Sequence, residues 1–266
     1  TKKFTAFVGQ NGVGKTNLLD LIYFLSLTKS FFNLTDQQLI KWNEAFSRIE
    51  AEIEKNGELL ELVVKIPLNK RKEMSINGAV CPKVSEYIGT LPLVIISPED
   101  NDIIQGGSEE RRKLFDNILA QVDSAYLEAL MEYNKILEQR NSLLKIKAEK
   151  PATDISMLEF YNARLAQSGS YIFNKRKDIF QRFEAVFQQF YSIISEEKEQ
   201  VKWYYASQLL TKDWNTLFEQ NLQKDLVLQR TSAGIHRDDY EFTIHDEKIK
   251  KFGSQGQQKS FTIALK

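Results

Sequence analysis

The sequence predicts an α/β fold that combines a phosphate-binding head, an antiparallel β lobe and an inserted antiparallel helical arm. Three observations predict this fold. Residues 9–16 read GQNGVGKT between an apolar run and a helical pattern, residues 49–66 alternate apolar and polar, and residues 115–191 carry apolar side chains at steps of three and four. Alternation of apolar and polar residues returns after this helical region, at residues 239–244, so the sequence predicts that the helical arm is inserted into the head.

The loop at residues 9–16 fits the pattern GxxxxGK[ST], which joins a strand to a helix and binds phosphate. Glycines let backbone N–H groups turn inward toward an anion, and the following helix adds the positive end of its dipole. Lys15 would reach the outer phosphates, and the Thr16 hydroxyl would bind Mg²⁺. We therefore expect the nucleotide-binding residues to be Gly9, Gln10, Asn11, Gly12, Val13, Gly14, Lys15, Thr16 and Asn17.

Two apolar runs predict strands of the main sheet. Residues 4–8 precede the loop directly, and residues 93–96, LVII, form a continuous apolar run of the kind found in buried strands. The apolar positions after the loop recur at helical spacing, which predicts a helix that buries one face against this sheet.

The antiparallel lobe is predicted from alternation and turn residues. Residues 49–53 and 60–66 alternate on either side of Asn56-Gly57, a dipeptide typical of tight hairpins. Residues 72–76, followed by a second Asn-Gly pair, predict another short strand and turn.

The helical arm is predicted from residue 108 onward. One helix is expected to run from Ser108 to the lysine-rich residues 145–150 and Pro151. Asp154 is expected to cap a return helix that continues to about Tyr191. The aromatic residues along these helices favour helix packing over base stacking.

After the arm the chain returns to the head. Residues 200–205 and 239–244 read as strands, residues 217–224 read as a helix, and Ser254 opens the last helix. We therefore expect three parts: the first part of the phosphate-binding head at residues 1–107, the helical arm at 108–199 and the return segment of the head at 200–266.

The composition excludes several classes of protein. Lys plus Arg and Asp plus Glu both number 36, so any site for a polyanion must be a local patch. Cys81 is the single cysteine, which excludes internal disulfides and cysteine-rich zinc sites. No apolar run reaches the length of a membrane span, and we expect a cytoplasmic protein.

A second motif, FGSQGQQKS at residues 252–260, opens the last helix. It offers a serine hydroxyl, a glycine that allows close approach of the backbone, and the N–H groups of a helix N-terminus. These groups suit a second contact to phosphate, although the run alone is a weak signal.

Six segments, taken in order, resemble the RecF family of DNA repair ATPases, which are SMC-like ATPases of the ATP-binding-cassette (ABC) type. They are GQNGVGKTNLLD at residues 9–20, SPED at 97–100, RRKLFD at 111–116, YNKILEQRN at 133–141, TSAGIHRDD at 231–239 and GSQGQQ at 253–258. Six matches over almost the whole chain are far more specific than any one of them.

The resemblance implies an ABC-ATPase-like head that binds ATP with Mg²⁺ and hydrolyses it slowly. It also implies an ATP-dependent homodimer in which the signature motif of each protomer covers the nucleotide of the other. The DNA implied is a single-strand/double-strand junction or gap, and the implied partners are RecR, RecO and, indirectly, RecA. The signature positions are Ser254, Gln255, Gly256 and Gln257.

The resemblance places a Walker B strand, with its catalytic acids, beyond the signature motif, and the sequence ends at Lys266. The catalytic residues are therefore not assigned. We expect the chain as given to bind ATP without hydrolysing it, because Mg²⁺ would lack a ligand and the attacking water would lack its base.

Local basic clusters are the candidates for contacts to DNA phosphates. The cluster at residues 111–113 begins a helix, where positive charge opposes the dipole and hints at an anion contact. Residues 236–239 bring both signs of charge into one turn and are equally compatible with a structural ion-pair network. The DNA-binding candidates are Arg111, Arg112, Lys113, Lys145, Lys147, Lys175, Arg176 and Lys177.

Three alternatives stay open. Another SMC-like head of a DNA repair ATPase would need a much longer coiled coil than residues 108–199 can form. A P-loop kinase or GTPase has no use for a signature motif far from the loop. The third alternative is a module that only holds ATP.

Overall fold

The computed structural model describes residues 4–266, apart from the side chain of Glu99. The described chain groups into two compact units. The first holds the residues up to Ile95 together with Ala120–Ser124, and the second holds Ile96–Leu119 and Ala125–Lys266. The three-part division at residues 107 and 199 stays a prediction.

The first unit begins with helix α1 (Lys15–Leu27) and continues into a four-stranded antiparallel sheet. Its strands, in spatial order, are β1 (Phe46–Lys55), β2 (Glu58–Pro67), β3 (Glu73–Ile76) and β4 (Ala79–Val80), and a short helix, α2 (Val84–Tyr87), follows. Asn56 and Gly57 have φ of 55° and 85°, as the predicted tight hairpin requires at both central positions.

The core of the first unit lies between α1 and one face of the sheet. Leu62, Val64 and Ile66 alternate along β2 and are completely buried, and they pack with Phe24 of α1 and with Tyr87. The period of two in the sequence therefore predicted which face of the hairpin is buried.

The two predicted strands of the main sheet are absent from the described residues. Val8 is 91% exposed and Val94 is 55% exposed, and in the part of the chain that the structure describes residues 4–8 and 93–96 belong to neither of the two sheets. The side chain of Gln121 forms hydrogen bonds with both backbone groups of Leu93. Its Oε1 accepts from the Leu93 N–H at 2.7 Å, and its Nε2 donates to the Leu93 carbonyl at 3.2 Å. A strand forms only where a neighbouring backbone satisfies these groups.

The second unit is mostly helical. Its helices are α3 (Asp102–Gln105), α4 (Ser108–Val122, whose last residues group with the first unit), α5 (Ser124–Glu149), α6 (Met157–Ser195), α7 (Trp214–Leu228), α8 (Ile249–Phe252) and α9 (Gln255–Leu265). Its antiparallel sheet has the order β5 (Val201–Ala206), β6 (Asp239–Ile244) and β7 (Glu247–Lys248).

Two helix boundaries differ from the prediction. The single helix expected from Ser108 is broken between Val122 and Ser124, and Asp123 precedes α5 at the position where Asp is favoured as a cap. The N-cap position of the return helix is Ser156 rather than Asp154, and the Ser156 side chain forms no capping hydrogen bond. The Asp154 carboxylate, two residues earlier, accepts from the Ser156 N–H at 2.8 Å.

The helices α5 and α6 form the predicted antiparallel arm. Arg140 of α5 donates to Asn162 of α6 at 2.8 Å, whereas Tyr126, earlier in α5, accepts from Arg176, later in α6, at 3.2 Å. Tyr126 and Tyr133 are completely buried, so the aromatic stripe packs helices together, as predicted.

The sheet of the second unit covers an aromatic core. Trp203 of β5 lies opposite Phe242 of β6 in the strand register, and both side chains are buried. The ring of Trp203 stacks on Phe115 of α4, with centroids 5.1 Å apart. This core joins the arm helices to the return segment. Among residues 4–266, no helix is both long enough and apolar enough to cross a membrane.

Candidate nucleotide-binding site

The loop at residues 9–16 has the backbone conformation that the motif predicts. Gly12 and Gly14 have φ of 87° and 92°, a left-handed conformation that L side chains rarely adopt. Gly14 is the N-cap of α1, which begins at Lys15 and is 13 residues long. The free N–H groups and the positive dipole end of α1 are therefore available at the loop.

Lys15 lies folded over this loop. Its Nζ donates to the carbonyl oxygens of Gly9 at 2.8 Å and Gln10 at 2.7 Å. Both bonds are exposed to solvent, so an anion bound in the loop could replace them at low cost. Thr16, the expected Mg²⁺ ligand, is exposed in the first turn of α1.

An open depression of about 360 Å³ lies beside the loop. Its lining combines the Lys15 side chain with apolar groups from the preceding segment and from α1. The lining residues are Ala6, Phe7, Val8, Val13, Gly14, Lys15 and Leu18. Such a mixture of one cation and apolar walls is typical of small-molecule sites.

The signature segment forms the start of α9. The Ser254 Oγ accepts from the Gln257 N–H at 3.2 Å, and the Gln257 Oε1 accepts from the Ser254 N–H at 2.7 Å. This reciprocal pair is a capping box, which fixes the first turn of the helix. Ser254, Gln255 and Gly256 are all exposed.

Gly256 has no packing reason to be glycine. A Cβ at this position would meet only the Ser254 Oγ, at an ordinary 3.9 Å. Glycine inside a helix costs roughly 1 kcal/mol relative to alanine. Because no contact within the chain requires a glycine at this exposed helix start, position 256 is suited to close approach by another molecule.

Residues 231–239, which include the turn with both signs of charge, contribute to a buried ionic cluster. We call it the Arg176 cluster. It consists of Asp116, Tyr126, Arg176, Tyr205 and Asp238. Arg176 donates to Asp238 at 2.9 Å and to both carboxylate oxygens of Asp116 at 2.9 and 3.1 Å. Burial raises the pKa of Asp238, and the charge of Arg176 opposes that rise.

His236 is held in one tautomer beside the Arg176 cluster. Its Nε2 lies 3.0 Å from the Thr231 carbonyl oxygen, which can only accept, so Nε2 carries the proton. Its Nδ1, 2.9 Å from the Tyr133 Oη, then accepts from that hydroxyl. Burial lowers the pKa of His236 to about 4, and the neutral imidazole is therefore the form built into the fold.

A second buried pair connects α5 to the segment at residues 231–239. Arg140 donates to Asp225 of α7 and to the Thr231 hydroxyl, at 2.8 and 2.7 Å, and its side chain is completely buried. Sequence reasoning missed Arg140, Asp225 and Asp116 as members of this polar interior. The segments at residues 111–116 and 133–141 contain Asp116 and Arg140, but the acids and bases that pair with these residues lie tens of residues away, so the sequence did not show their role.

Two of the three basic residues at the start of α4, Arg111 and Arg112, form hydrogen bonds within the chain, which corrects the predicted anion contact at these two positions. Arg111 binds both carboxylate oxygens of Asp239, at 2.7 and 3.1 Å, and Arg112 donates to the Asp238 carbonyl at 2.6 Å. Lys113 pairs with Glu109 at 3.0 Å and remains half-exposed. The unfavourable charge near the helix N-terminus is thus offset at Arg111 by Asp239 and at Lys113 by Glu109 of the same helix.

Arg176 is wrong as a DNA-binding candidate. Its side chain is only 1% exposed, and its guanidinium already binds two carboxylates and the Ile235 carbonyl. A phosphate cannot reach it without unfolding of the arm.

The other candidates on the arm lie nearer to solvent. Lys145 and Lys177 are exposed. Lys147 donates to the Thr153 carbonyl at 3.0 Å, and the Lys175 Nζ lies 5.3 Å from the ring centroid of Tyr171. Within residues 4–266, no three His, Cys, Asp or Glu side chains are grouped so that they could hold a metal ion.

The class of protein agrees with the fold and with the loop at residues 9–16. Residues 4–263 match a family model described as an AAA domain, putative AbiEii toxin, type IV toxin–antitoxin system. This match covers nearly the whole chain and indicates an ATPase-type domain.

The relatives then identify the family. The DNA replication and repair protein RecF of Flavobacterium johnsoniae is 47% identical over 264 residues, which are 99% of this chain and 74% of that protein. RecF of Cytophaga hutchinsonii is 41% identical over 260 residues, 98% of this chain and 69% of that protein. The chain belongs to the RecF family of DNA replication and repair proteins.

A solved structure supports the same assignment. The structure of the recombination mediator protein RecF-ATPrS in the RecFOR pathway has a TM-score of 0.89 and 28% identity, and the match covers 97% of this chain and 71% of that chain. The predicted family and the predicted ABC-type α/β head are therefore confirmed.

Proposed function

We propose that this chain is an ATP-switched, DNA-binding ATPase of recombinational repair that binds ATP with residues 9–17. The observation that carries the proposal is the conformation of the loop, with Gly12 and Gly14 left-handed and Lys15 folded over its carbonyls. Solved relatives are described as RecF-ATP and RecF-ATPrS, which supports ATP as the nucleotide.

Mg²⁺ would be held by the Thr16 hydroxyl together with the phosphates of the nucleotide. Mg²⁺ is bound in this way in many phosphate-binding loops, through few protein ligands and several waters. The metal would neutralise the phosphates and polarise the terminal one. Slow hydrolysis of ATP to ADP and phosphate at this site would need, besides residues 9–17, the acidic Mg²⁺ ligand and the base that a Walker B strand supplies.

The signature segment would complete the site in a second protomer. The exposure of Ser254, Gln255 and Gly256 in the first turn of α9 supports a contact with another molecule, as does the glycine at position 256, which has no packing reason. In a head-to-tail homodimer, these groups would cover the nucleotide of the partner. ATP would then control dimerisation.

DNA would be bound through phosphates at gaps or single-strand/double-strand junctions. Lys113, Lys145 and Lys177 support this proposal, because their side chains are exposed while Arg111 and Arg176 are used internally. Lys147 and Lys175 would add contacts from the same arm. Such binding should weaken steeply as salt concentration rises.

The family membership supports a place in the RecFOR pathway. We propose RecR and RecO as partners, RecA as the recombinase whose loading is helped, and the cytoplasm as the location.

The loop assignment is tested by the Lys15→Ala variant. Removing the ammonium should weaken binding of a fluorescent, non-hydrolysable ATP analogue by at least about a hundredfold, because a charge-assisted phosphate contact is lost. The variant should unfold at the same urea concentration as the parent, since Lys15 bonds only to its own loop. Lys70→Ala, an exposed lysine in the same unit, is the matched control. Unchanged affinity in Lys15→Ala would overturn the proposal.

A further inference from the structure

The far end of the arm helix α6 packs directly against α9, whose first turn is the signature segment. Phe187 and Tyr191 of α6 contact Phe261 of α9, with ring centroids 4.8 and 5.9 Å apart. All three side chains are buried. A helix of 39 residues therefore ends on the element that presents Ser254.

Glu199, in the loop between α6 and β5, connects these two helices through hydrogen bonds. One carboxylate oxygen accepts from the Tyr191 hydroxyl, and the other accepts from the Gln257 Nε2 at 2.8 Å. The Gln257 Oε1, at the other side of the same amide, accepts from the Ser254 N–H at 2.7 Å. The four residues form one continuous chain of hydrogen bonds from α6 to the helix cap.

We infer that Glu199 is a positioning residue that couples α6 to the signature segment by fixing the Gln257 amide. The inference rests on the proposed function, in which Ser254 and Gln257 contact the nucleotide of a second protomer. Glu199 lies outside the signature motif and provides a route by which the arm controls that motif.

The physical reason is preorganisation. The carboxylate of Glu199 can only accept, so it admits only the orientation in which the Gln257 NH₂ group points to it and the Gln257 oxygen points to Ser254. Without this acceptor the amide can rotate, and the cap and the Ser254 hydroxyl lose their fixed direction. Ordering these side chains during association then lowers the affinity between protomers.

The test compares Glu199→Ala with Glu197→Ala, which removes an exposed carboxylate from the same loop. Glu199→Ala should weaken nucleotide-dependent dimerisation about tenfold, the size expected for one hydrogen bond to a charged group. Binding of the ATP analogue to the monomer should stay within about twofold. Glu199→Gln keeps an oxygen for Gln257 and should restore most of the affinity between protomers.

A double-mutant cycle shows whether Glu199 acts through Gln257. In a Gln257→Ala background, adding Glu199→Ala should change dimerisation by less than about twofold. A further tenfold loss in that background would overturn the inference, as would equal effects of Glu199→Ala and Glu197→Ala.

Amide hydrogen exchange in the nucleotide-free monomer separates this inference from the proposed function. Glu199→Ala should speed exchange of the Ser254 amide about tenfold, and Glu199→Gln should leave it near the rate of the parent chain. If the parent chain never dimerises with nucleotide, the proposed function fails, whereas the exchange rates still decide the positioning role. Unchanged exchange in Glu199→Ala contradicts that role.

Discussion

The loop at residues 9–16 and the Arg176 cluster are both polar, but they are built in opposite ways. Lys15 bonds to carbonyls five and six residues before it, in solvent. Arg176 bonds to Asp116 and Asp238, each at least 60 residues away, at nearly complete burial. The loop needs only local backbone geometry, whereas the cluster exists only in the finished fold.

This difference separates ligand binding from stability. An exposed polar group can be removed with little effect on folding, because water replaces its bonds. A buried charge cannot, because its partner is then left without compensation. The comparison predicts that changes in the cluster act on unfolding and that changes in the loop and signature segment act on binding.

The largest expected effect is that of Arg176→Met. The change leaves the carboxylates of Asp116 and Asp238 without their cation, and we expect a loss of about 3 to 5 kcal/mol in the free energy of unfolding. Urea denaturation followed by circular dichroism measures this loss. Arg182→Met, at an exposed position of the same helix, should change stability by less than about 0.5 kcal/mol. A similar stability for both variants would remove the distinction between the two regions.

The next effect is a pH dependence from His236. Its pKa is about 4 in the folded chain and near 6.5 when unfolded, so the unfolded state binds the proton first as pH falls. The contribution to stability is complete above pH 6.5 and is lost as pH falls toward about 4, to a total of about 3 kcal/mol.

His236→Gln should flatten the stability curve over that pH range, while His245→Gln, at an exposed histidine, should leave its slope unchanged. Urea unfolding at several pH values measures both slopes. Equal slopes for the parent chain and His236→Gln would mean that the imidazole is not held neutral.

The smallest expected effect is that of Gly256→Ala. Alanine fits without a clash and favours the helix, so stability should rise by up to about 1 kcal/mol. Dimerisation with nucleotide should weaken, because the added Cβ lies on the exposed turn that approaches the partner. Gly169→Ala is the contrasting control, since its Cβ would lie 2.4 Å from the Trp214 ring and should destabilise the arm. Undiminished dimerisation in Gly256→Ala would remove position 256 from the interface.

Prediction from the sequence succeeded where the cause is local. The loop, the Asn56-Gly57 hairpin and the Ser254 cap each depend on a few adjacent residues, and all three are present in the structure. The buried faces of β2 and β6 followed from alternation alone.

Prediction failed where distant residues decide. Residues 93–96 look like a buried strand, yet the backbone N–H and carbonyl of Leu93 form hydrogen bonds with the side chain of Gln121. Arg176 looks like a surface base on a helix, yet two distant acids surround it. Glu199 carries no motif at all, because its partner Gln257 lies 58 residues further along the chain.

The most direct test of the account is the molar mass in solution, measured by light scattering with and without a non-hydrolysable ATP analogue and Mg²⁺. The mass of the parent chain should double only with nucleotide. Ser254→Arg should still bind the analogue as a monomer but should not double in mass, because the long cation blocks the exposed turn. Nucleotide binding by the parent chain without doubling, or equal doubling by Ser254→Arg, would contradict the proposed ATP-dependent dimer.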